Sequence, residues 1–372
     1  MDSDGDNSVQ LNSPTGGTTD SDIRLTTSPS AVQQTLFLIH SGDLTLKVQA
    51  AKEIRRLTKT SQRYRRHFSN AVKPLVDMLR CDSFESKEAA LLALLNLAVK
   101  DEGNKIEIID AGALEPIIGF LQSDDATLQD HATASLLTLS ASPVTKPIIS
   151  ASGVFPLLVE IIRRGSSQAK ADAVMALSNL SSYQDNLISI LQAQPIPSTV
   201  SLLKSCKKSS KTTERCTALL ESLMCYEEGR NSLISEDGGV LAVVEVLESG
   251  SSQSREHAVG ALLTMCQSDR SKYREPILRE GVIPGLLELT VQGTAKSRTK
   301  AQTLLRLLRD TPYPRSELEP DTLENIGKAK EMLAEMVQVS MEQSLRHLQQ
   351  RALVCTPADL SVPSCISKIT SK

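Results

Sequence analysis

The feature that most constrains the fold is a pattern that recurs seven times at spacings of 40 to 43 residues. In each recurrence a small residue is followed by apolar residues four and seven positions later, which places all three on one stripe of a helix. The small residues are Ala50, Ala90, Ala132, Ala173, Cys216, Ala258 and Ala301. The apolar residues four positions later are Ile54, Leu94, Leu136, Leu177, Leu220, Leu262 and Leu305. Those seven positions later are Leu57, Leu97, Leu139, Leu180, Leu223, Met265 and Leu308. One repeat cannot bury such a stripe but stacked repeats can, so the pattern predicts an all-α solenoid.

Glycine and proline mark the helix boundaries within each repeat. A glycine ends one helix and a proline lies in the first turn of the next. The clearest examples are 112–116, 153–156 and 281–284, and 70–74 has the same form with Asn in place of Gly. Each repeat is therefore predicted to hold a short first helix, a middle helix and a longer third helix. We expect seven such repeats over residues 31–310, the first of them degenerate.

A period of 40–47 residues with two or three helices is typical of armadillo or HEAT repeats. The segments 112–116 and 93–98 resemble armadillo (ARM) repeats specifically. Segments 86–121, 255–263 and 293–308 resemble the ARM arrays of plant U-box ubiquitin ligases. This resemblance covers about residues 31–310 and implies a right-handed superhelix that binds other proteins. Only 30 polar residues precede the first repeat, so we expect an ARM-repeat protein that lacks the U-box.

The segments outside the repeats differ in composition. Residues 1–30 are rich in Ser, Thr and Asp, and this composition predicts disorder. Three prolines in 311–320 predict a linker, and 354–372 is expected to be a flexible tail. Residues 321–353 carry an apolar stripe at intervals of mostly three or four residues, which predicts a long amphipathic C-terminal helix. Two roles stay open for this helix: covering the end of repeat seven or binding a partner.

Composition argues against several classes of function. The net charge of -3 gives no drive toward nucleic acid, and no uninterrupted apolar stretch is long enough for a transmembrane helix. The seven cysteines show no Cys-x-x-Cys spacing, so no metal site is expected and the thiols are predicted to be reduced, in the cytoplasm or nucleus. The five histidines lie in no catalytic spacing. We therefore expect no enzymatic site, no cofactor and no small-molecule substrate.

Candidate binding residues lie six positions after the small residue, about 120° from the buried stripe. They are Asn96, Thr138, Asn179, Ser222 and Thr264. The resemblance implies that the third helices line an inner groove and that Asn at this position binds the backbone of an extended peptide. The other interpretation is that these side chains bind local backbone or water. Nuclear-import receptors carry Trp one turn earlier, and this chain has no Trp, which argues against recognition of basic import signals.

A second candidate is a basic patch in the first repeats. Residues 47–73 hold nine Lys and Arg and one acid. The patch is formed by Arg55, Arg56, Arg63, Arg65 and Arg66. It is interpreted either as a solvated face, or as a site for an acidic partner, an import signal, or contact with RNA or phospholipid.

Together these features predict a non-catalytic scaffold or adaptor that binds peptide or helical segments of other proteins, such as kinases or ubiquitin-pathway proteins. The link to ubiquitination or plant signalling rests on the resemblance alone. Two alternatives stay open: a component of a ubiquitin ligase whose U-box is supplied by another chain, and an adaptor of the nuclear-transport type.

Overall fold

The computed structural model describes residues 29–309 and five later residues, which are Gln338, Met341, Glu342, Leu345 and Arg346. Within this part of the chain the structure is helical throughout and has no β-strand. Twenty α-helices and one short 3-10 helix form seven consecutive repeats, as predicted. The first repeat contributes two helices to the described residues, and each later repeat contributes three.

The helices are numbered α1 to α20 in chain order. Repeat one comprises α1 (Pro29–Ile39) and α2 (Leu44–Thr58), and repeat two comprises α3 (Gln62–His67), a 3-10 helix (Ser69–Ala71), α4 (Val72–Leu79) and α5 (Phe84–Ala98). Repeat three comprises α6 (Glu102–Asp110), α7 (Leu114–Leu121) and α8 (Ala126–Ser140). Repeat four comprises α9 (Lys146–Ala151), α10 (Phe155–Arg164) and α11 (Ser167–Ser181). Repeat five comprises α12 (Asn186–Gln192), α13 (Pro195–Ser205) and α14 (Lys211–Leu223). Repeat six comprises α15 (Glu227–Ser235), α16 (Gly239–Ser249) and α17 (Ser252–Ser268). Repeat seven comprises α18 (Arg270–Arg279), α19 (Ile283–Gln292) and α20 (Ala295–Leu308).

The predicted stripe forms the core of the stack. All of the small and apolar residues that define the repeat are buried except Leu305, which is half-buried in the last described repeat. Each buried Leu stabilises the array by roughly 1.5–3 kcal/mol relative to an exposed one. Because the stripe faces neighbouring repeats, the core runs without interruption from Ile39 to Leu308.

Every third helix begins at a polar cap. Its N-cap residue is extended, and the side-chain oxygen accepts a hydrogen bond from a backbone N–H in the first turn. The caps are Asp43, Ser83, Asp125, Ser166, Ser210, Ser251 and Thr294. Such a cap contributes about 1 kcal/mol by satisfying an N–H that has no partner within the helix.

Three of the four predicted landmarks form turns with a left-handed residue, whereas residues 70–74 of repeat two run through the 3-10 helix into α4 without one. Gly112, Gly153 and Gly281 all have positive φ. Repeat five departs from this rule, because Gln194 occupies the left-handed region at the same place with a φ of 53°. This position was missed in the sequence because the glycine landmark is absent there.

In repeats two to six, polar side chains in or beside the first helix donate hydrogen bonds to the last carbonyl groups of the preceding third helix, which have no partner within it. For example, the Nδ2 atoms of Asn104 and Asn186 donate to the carbonyls of Leu97 and Leu180, at 3.1 and 2.8 Å. Thr145 and Arg230 make the equivalent bonds in other repeats. In repeat seven, Arg270 and Arg274 of α18 donate instead to the end of α20.

The predicted C-terminal helix lies mostly outside the described residues, as do the predicted tails and the Pro-rich linker. Its five described residues are helical, and Met341 and Leu345 of the apolar stripe are each more than half exposed. Whether this helix covers repeat seven stays a prediction.

Candidate functional site

The third helices form the inner layer of the curved stack. Successive third helices, from α2 to α20, contact each other more extensively than successive middle helices do. A curved stack brings its inner layer closer together than its outer layer, so the third helices lie on the concave side. Their surface opposite the buried stripe is the groove.

All five predicted groove residues are half-buried, the exposure expected of side chains that line a groove. They lie on α5, α8, α11, α14 and α17 at equivalent places. The structure thus brings them to one face of the array, spaced one repeat apart.

The two asparagines each reach back to the preceding repeat. Asn96 Nδ2 donates to the carbonyl of Arg55 at 2.9 Å, and Asn179 Nδ2 donates to Ser140 Oγ at 3.2 Å. An amide has two N–H donors and a carbonyl acceptor. Within residues 29–309, one N–H of each amide is engaged, which leaves the carbonyl oxygen and the second N–H for a ligand.

The three hydroxyls bind their own helices instead. Thr138, Ser222 and Thr264 each donate to the carbonyl four residues earlier, at 3.0 to 3.1 Å. This is the local bonding that short hydroxyl side chains favour inside helices. Each oxygen retains only acceptor capacity, so these positions are weaker candidates than the asparagines.

The residues that form the floor of the groove differ from repeat to repeat. The positions one turn before the candidate residues are small or apolar, and they are Leu92, Ala134, Met175, Ala218 and Gly260. None is aromatic, so the groove offers no stacking surface at these places.

Three charged or titratable side chains close the groove in repeats five to seven. Glu221 on α14 binds His257 Nδ1 through Oε2 and Lys300 Nζ through Oε1, both at 2.7 Å. Lys300 lies on α20, so its side chain passes over α17 to reach α14. It can do so because Gly260 has no side chain there: an added Cβ would overlap the Glu221 carboxylate. We refer to Glu221, His257 and Lys300 as the triad.

The triad holds Glu221 in its ionised form. Burial raises the pKa of this carboxyl, but hydrogen bonds from His257 and Lys300, together with their charge, lower it by more. The net pKa lies below the ordinary value for glutamate. The triad was missed in the sequence because its members lie 36 and 43 residues apart, although a glycine in the interior of a long helix signals a close approach.

Comparison with known families identifies the array. Residues 40–323 match the family model described as the plant U-box protein ARM repeat region. The chain belongs to this family. The solenoid predicted from the repeat pattern and the ARM fold implied by the resemblance are thereby confirmed.

Curated relatives are plant U-box proteins. The chain is 31% identical over 226 residues to U-box domain-containing protein 45 of Arabidopsis thaliana, covering 60% of this chain and 29% of the relative. It is also 31% identical over 275 residues to U-box domain-containing protein 17 of the same species, covering 72% and 37%. The chain therefore spans about a third of the length of these relatives.

Solved structures support the fold. A crystal structure of an engineered protein matches with a TM-score of 0.66 at 23% identity, covering 74% of this chain and 68% of that one. A crystal structure of computationally designed armadillo repeat proteins for modular peptide recognition matches with a TM-score of 0.50 at 17% identity, covering 75% and 100%.

The predicted basic patch is divided in the ARM structure. Arg65 is 7% exposed, and its guanidinium donates to the carbonyls of Thr58 and Lys59 at the end of α2. Its inclusion in an exposed patch was wrong, because charge density in a sequence does not reveal burial. Arg56 pairs with Glu53, and Arg66 lies 3.8 Å from Asp101.

Arg55 and Arg63 are exposed, with the Arg63 guanidinium 3.4 Å from His67 Nε2. The exposed part of the patch therefore comprises Arg55, Arg56, Arg63 and Arg66, and it is partly neutralised by neighbouring acids.

Acidic side chains of the ARM third helices also join neighbouring repeats. Asp130 accepts from Ser166 Oγ at 2.9 Å, and Glu256 accepts from Thr294 Oγ1 at 2.6 Å. Ser166 and Thr294 are the N-caps of the following third helices. These contacts couple adjacent repeats at the edge of the groove.

The described residues contain no group of His, Cys, Asp and Glu that is arranged to hold a metal ion. The five cysteines in this part of the chain are free thiols. Among the described helices, none is both long enough and apolar enough to cross a membrane.

Proposed function

We propose that this protein is a non-catalytic scaffold whose ARM groove binds extended segments of partner proteins. The observation that carries the proposal is the pair Asn96 and Asn179, half-buried on the concave face with amide groups still available. An amide can donate to and accept from a peptide bond whatever the ligand side chains are, so regularly spaced amides suit an extended chain.

We expect the ligand to bind in the first half of the groove, which is formed by repeats two to four. Both asparagines lie in repeats two to four, where the floor is open and apolar, whereas the triad occupies the groove in repeats five to seven. A ligand backbone is therefore expected to contact α5 to α11.

The proposed pathway is ubiquitination or plant signalling, in the cytoplasm or nucleus. The family membership supports this, because its relatives are U-box proteins. In the same proposal the chain contributes partner selection, and ubiquitin transfer depends on a U-box protein. Kinases and ubiquitin-pathway proteins are the expected partners.

The groove is tested by comparing bound partners of the wild type and an Asn96→Ala/Asn179→Ala variant. Each is expressed in plant tissue, purified, and analysed by quantitative mass spectrometry. We expect specific partners to fall about tenfold or more in the double variant, since loss of two amide contacts removes a few kcal/mol of binding. The matched control is Asn70→Ala, which removes an exposed amide away from the groove. An unchanged partner set in the double variant would contradict groove binding.

The alternative, a component of a ligase with the U-box in trans, is favoured by the identity of the relatives. Purified protein mixed with ubiquitin, activating enzyme and conjugating enzyme is expected to form no ubiquitin chains. Adding a plant U-box protein that binds it should then give modification of the bound partner. Robust self-modification in the first mixture would show that the chain transfers ubiquitin itself.

A further inference from the structure

The first helices form an edge of the solenoid whose surface chemistry varies by repeat. These helices, α3, α6, α9, α12, α15 and α18, occupy equivalent places in repeats two to seven. Four of them carry exposed charges: basic on α3 and α18, acidic on α6 and α15. The two central helices, α9 and α12, differ from the rest.

Exposed apolar side chains are concentrated on α9, α12 and the loops before them. Residues 141–151 and 182–192 contain one charged residue each, Lys146 and Asp185. Val144, Ile148, Tyr183 and Ile188 are 54, 45, 40 and 55% exposed, and Pro143 and Pro147 are exposed beside them. These six residues are the apolar edge.

The apolar edge spans two adjacent repeats, which are joined by a polar contact. Lys146 Nζ donates to Ser182 Oγ at 2.6 Å, which joins the start of α9 to the loop before α12. Val144 and Ile148 lie two residues on either side of Lys146, and Tyr183 follows Ser182. Of the two charged residues in these segments, Lys146 is half-buried and bonded to this hydroxyl, whereas Asp185 is exposed beside Tyr183.

Acidic residues flank the apolar edge on both sides. On α6, Glu107 and Asp110 are exposed and form no ion pair within the described residues. On α15, Glu228 is likewise exposed and unpaired in that part of the chain, while Glu227 pairs with Lys272 at 3.3 Å. The order of the first helices along the edge is therefore acidic, apolar, apolar, acidic, with the acid Asp185 exposed immediately before α12.

This charge order disfavours a second copy of the chain as the occupant. Two edges related by a two-fold axis would place α9 against α12 and α6 against α15, because the same patch faces itself. The acidic helices of the two copies would then face each other, and like charges across an interface are unfavourable. A ligand with cations at both ends matches the edge instead.

We propose that the apolar edge docks a helical segment of a partner protein that has an apolar centre and Lys or Arg at both ends. Third helices of successive repeats pack about 10 Å apart, so α6 and α15, which lie three repeats apart, are separated by about 30 Å. A helix of about 20 residues spans that distance. Its central apolar face covers α9 and α12, and its terminal cations lie against the acids of α6 and α15. This site is separate from the groove and does not depend on the function proposed for it.

The experiment uses the full chain and a synthetic 20-residue helical peptide with Leu on one central face and Lys and Arg at both ends. Binding is measured by fluorescence anisotropy. We expect an Ile148→Ser/Ile188→Ser variant to bind about tenfold more weakly or worse, the effect of losing apolar anchors from an interface. The matched control is Val291→Ser, which removes an apolar side chain that is 77% exposed on the middle helix α19. It should leave binding unchanged.

Charge is tested with a second peptide that carries Glu at both ends, and with a Glu107→Lys/Glu228→Lys variant. The wild type should prefer the basic peptide, and the charge-reversed variant should prefer the acidic one.

Equal binding of both peptides, or equal binding by the wild type and the Ser variant, would overturn the proposal. So would a dimer in sedimentation equilibrium that the Ser variant dissociates. Loss of peptide binding in Asn96→Ala/Asn179→Ala would assign the peptide to the groove and also overturn it.

Discussion

Replacing Gly260 with alanine tests whether the triad couples three repeats. In the interior of a helix this change normally stabilises a protein by about 1 kcal/mol, because glycine has the larger backbone entropy in the unfolded chain. At Gly260 the new Cβ would overlap the Glu221 carboxylate and lie 2.7 Å from Lys300 Nζ. The side chains of Glu221 and Lys300 must therefore shift, which weakens the ion pair above the helix.

The magnitude follows from the exposure of the pair. The side chains of Glu221 and Lys300 are 25 and 28% exposed, between a surface pair and a buried one. Exposed pairs contribute up to about 1 kcal/mol and breaking buried ones costs several, so we take about 1–2 kcal/mol for this pair. Subtracting the gain of about 1 kcal/mol in helix propensity, Gly260→Ala should be neutral or destabilise by about 1 kcal/mol.

The assay is urea unfolding followed by circular dichroism, with Gly260→Ala introduced into the wild type and into Glu221→Ala. Without the carboxylate, the remaining close atom is Lys300 Nζ, which is the end of a flexible side chain and is no longer held by Glu221, so alanine should stabilise the second background by about 1 kcal/mol. The difference between backgrounds is therefore the coupling energy. Gly119→Ala is the matched control, because Gly119 is exposed within α7 and a Cβ there meets no atom within 4 Å. It should stabilise both backgrounds equally.

The pH dependence gives a second measurement. Because the folded pKa of Glu221 is lowered, its contribution is present above the ordinary carboxyl pKa and is lost as the pH falls through the folded value. The effect of Glu221→Ala should therefore be largest near pH 7 and fade on acidification. If Gly260→Ala stabilises both backgrounds equally at pH 7, the coupling of repeats five to seven through Glu221 is refuted.

Three further predictions concern stability. Leu177→Ala should destabilise the array by about 2–5 kcal/mol in urea unfolding, because this fully buried side chain leaves a cavity; Asn179→Ala should cost far less, and the reverse order would show that the face assignment is inverted. Ser166→Ala should cost about 1 kcal/mol or more through loss of the α11 cap and of the bond to Asp130, and Ser166→Thr should retain both in the same assay. Truncation after Asp310 should lower the thermal midpoint and promote aggregation in light scattering; an equally stable monomer would favour partner binding by the C-terminal helix.

The helical stack was predictable because its cause is local in sequence. A small residue with apolar residues four and seven positions later defines a helical stripe, and seven copies of that stripe at a regular spacing predict a stack of repeats. The Gly-Pro landmarks gave the turns at Gly112, Gly153 and Gly281, where positive φ is required. Gln194 escaped prediction because no glycine marks the left-handed position in that repeat.

The candidate sites were less predictable because they depend on contacts between repeats. The register brings Asn96 and Asn179 to equivalent places on the third helices, but their bonds to Arg55 and Ser140 join positions about 40 residues apart. The same holds for the triad. Arg65 shows the converse error, since a guanidinium in a basic run can serve to satisfy carbonyl groups at a helix end.

Repeats two to four and repeats five to seven differ in how much of the groove is available to a ligand. In repeats two to four the groove keeps amide groups and an apolar floor, whereas in repeats five to seven Lys300 extends across Gly260 and uses the Glu221 carboxylate. A ligand that extended into the second half would have to displace an ion pair made within the protein, and its own contacts would be reduced by that amount. Removing the pair with Lys300→Met should therefore lengthen the segment of ligand protected in the groove, and it should leave the contacts at Asn96 and Asn179 unchanged.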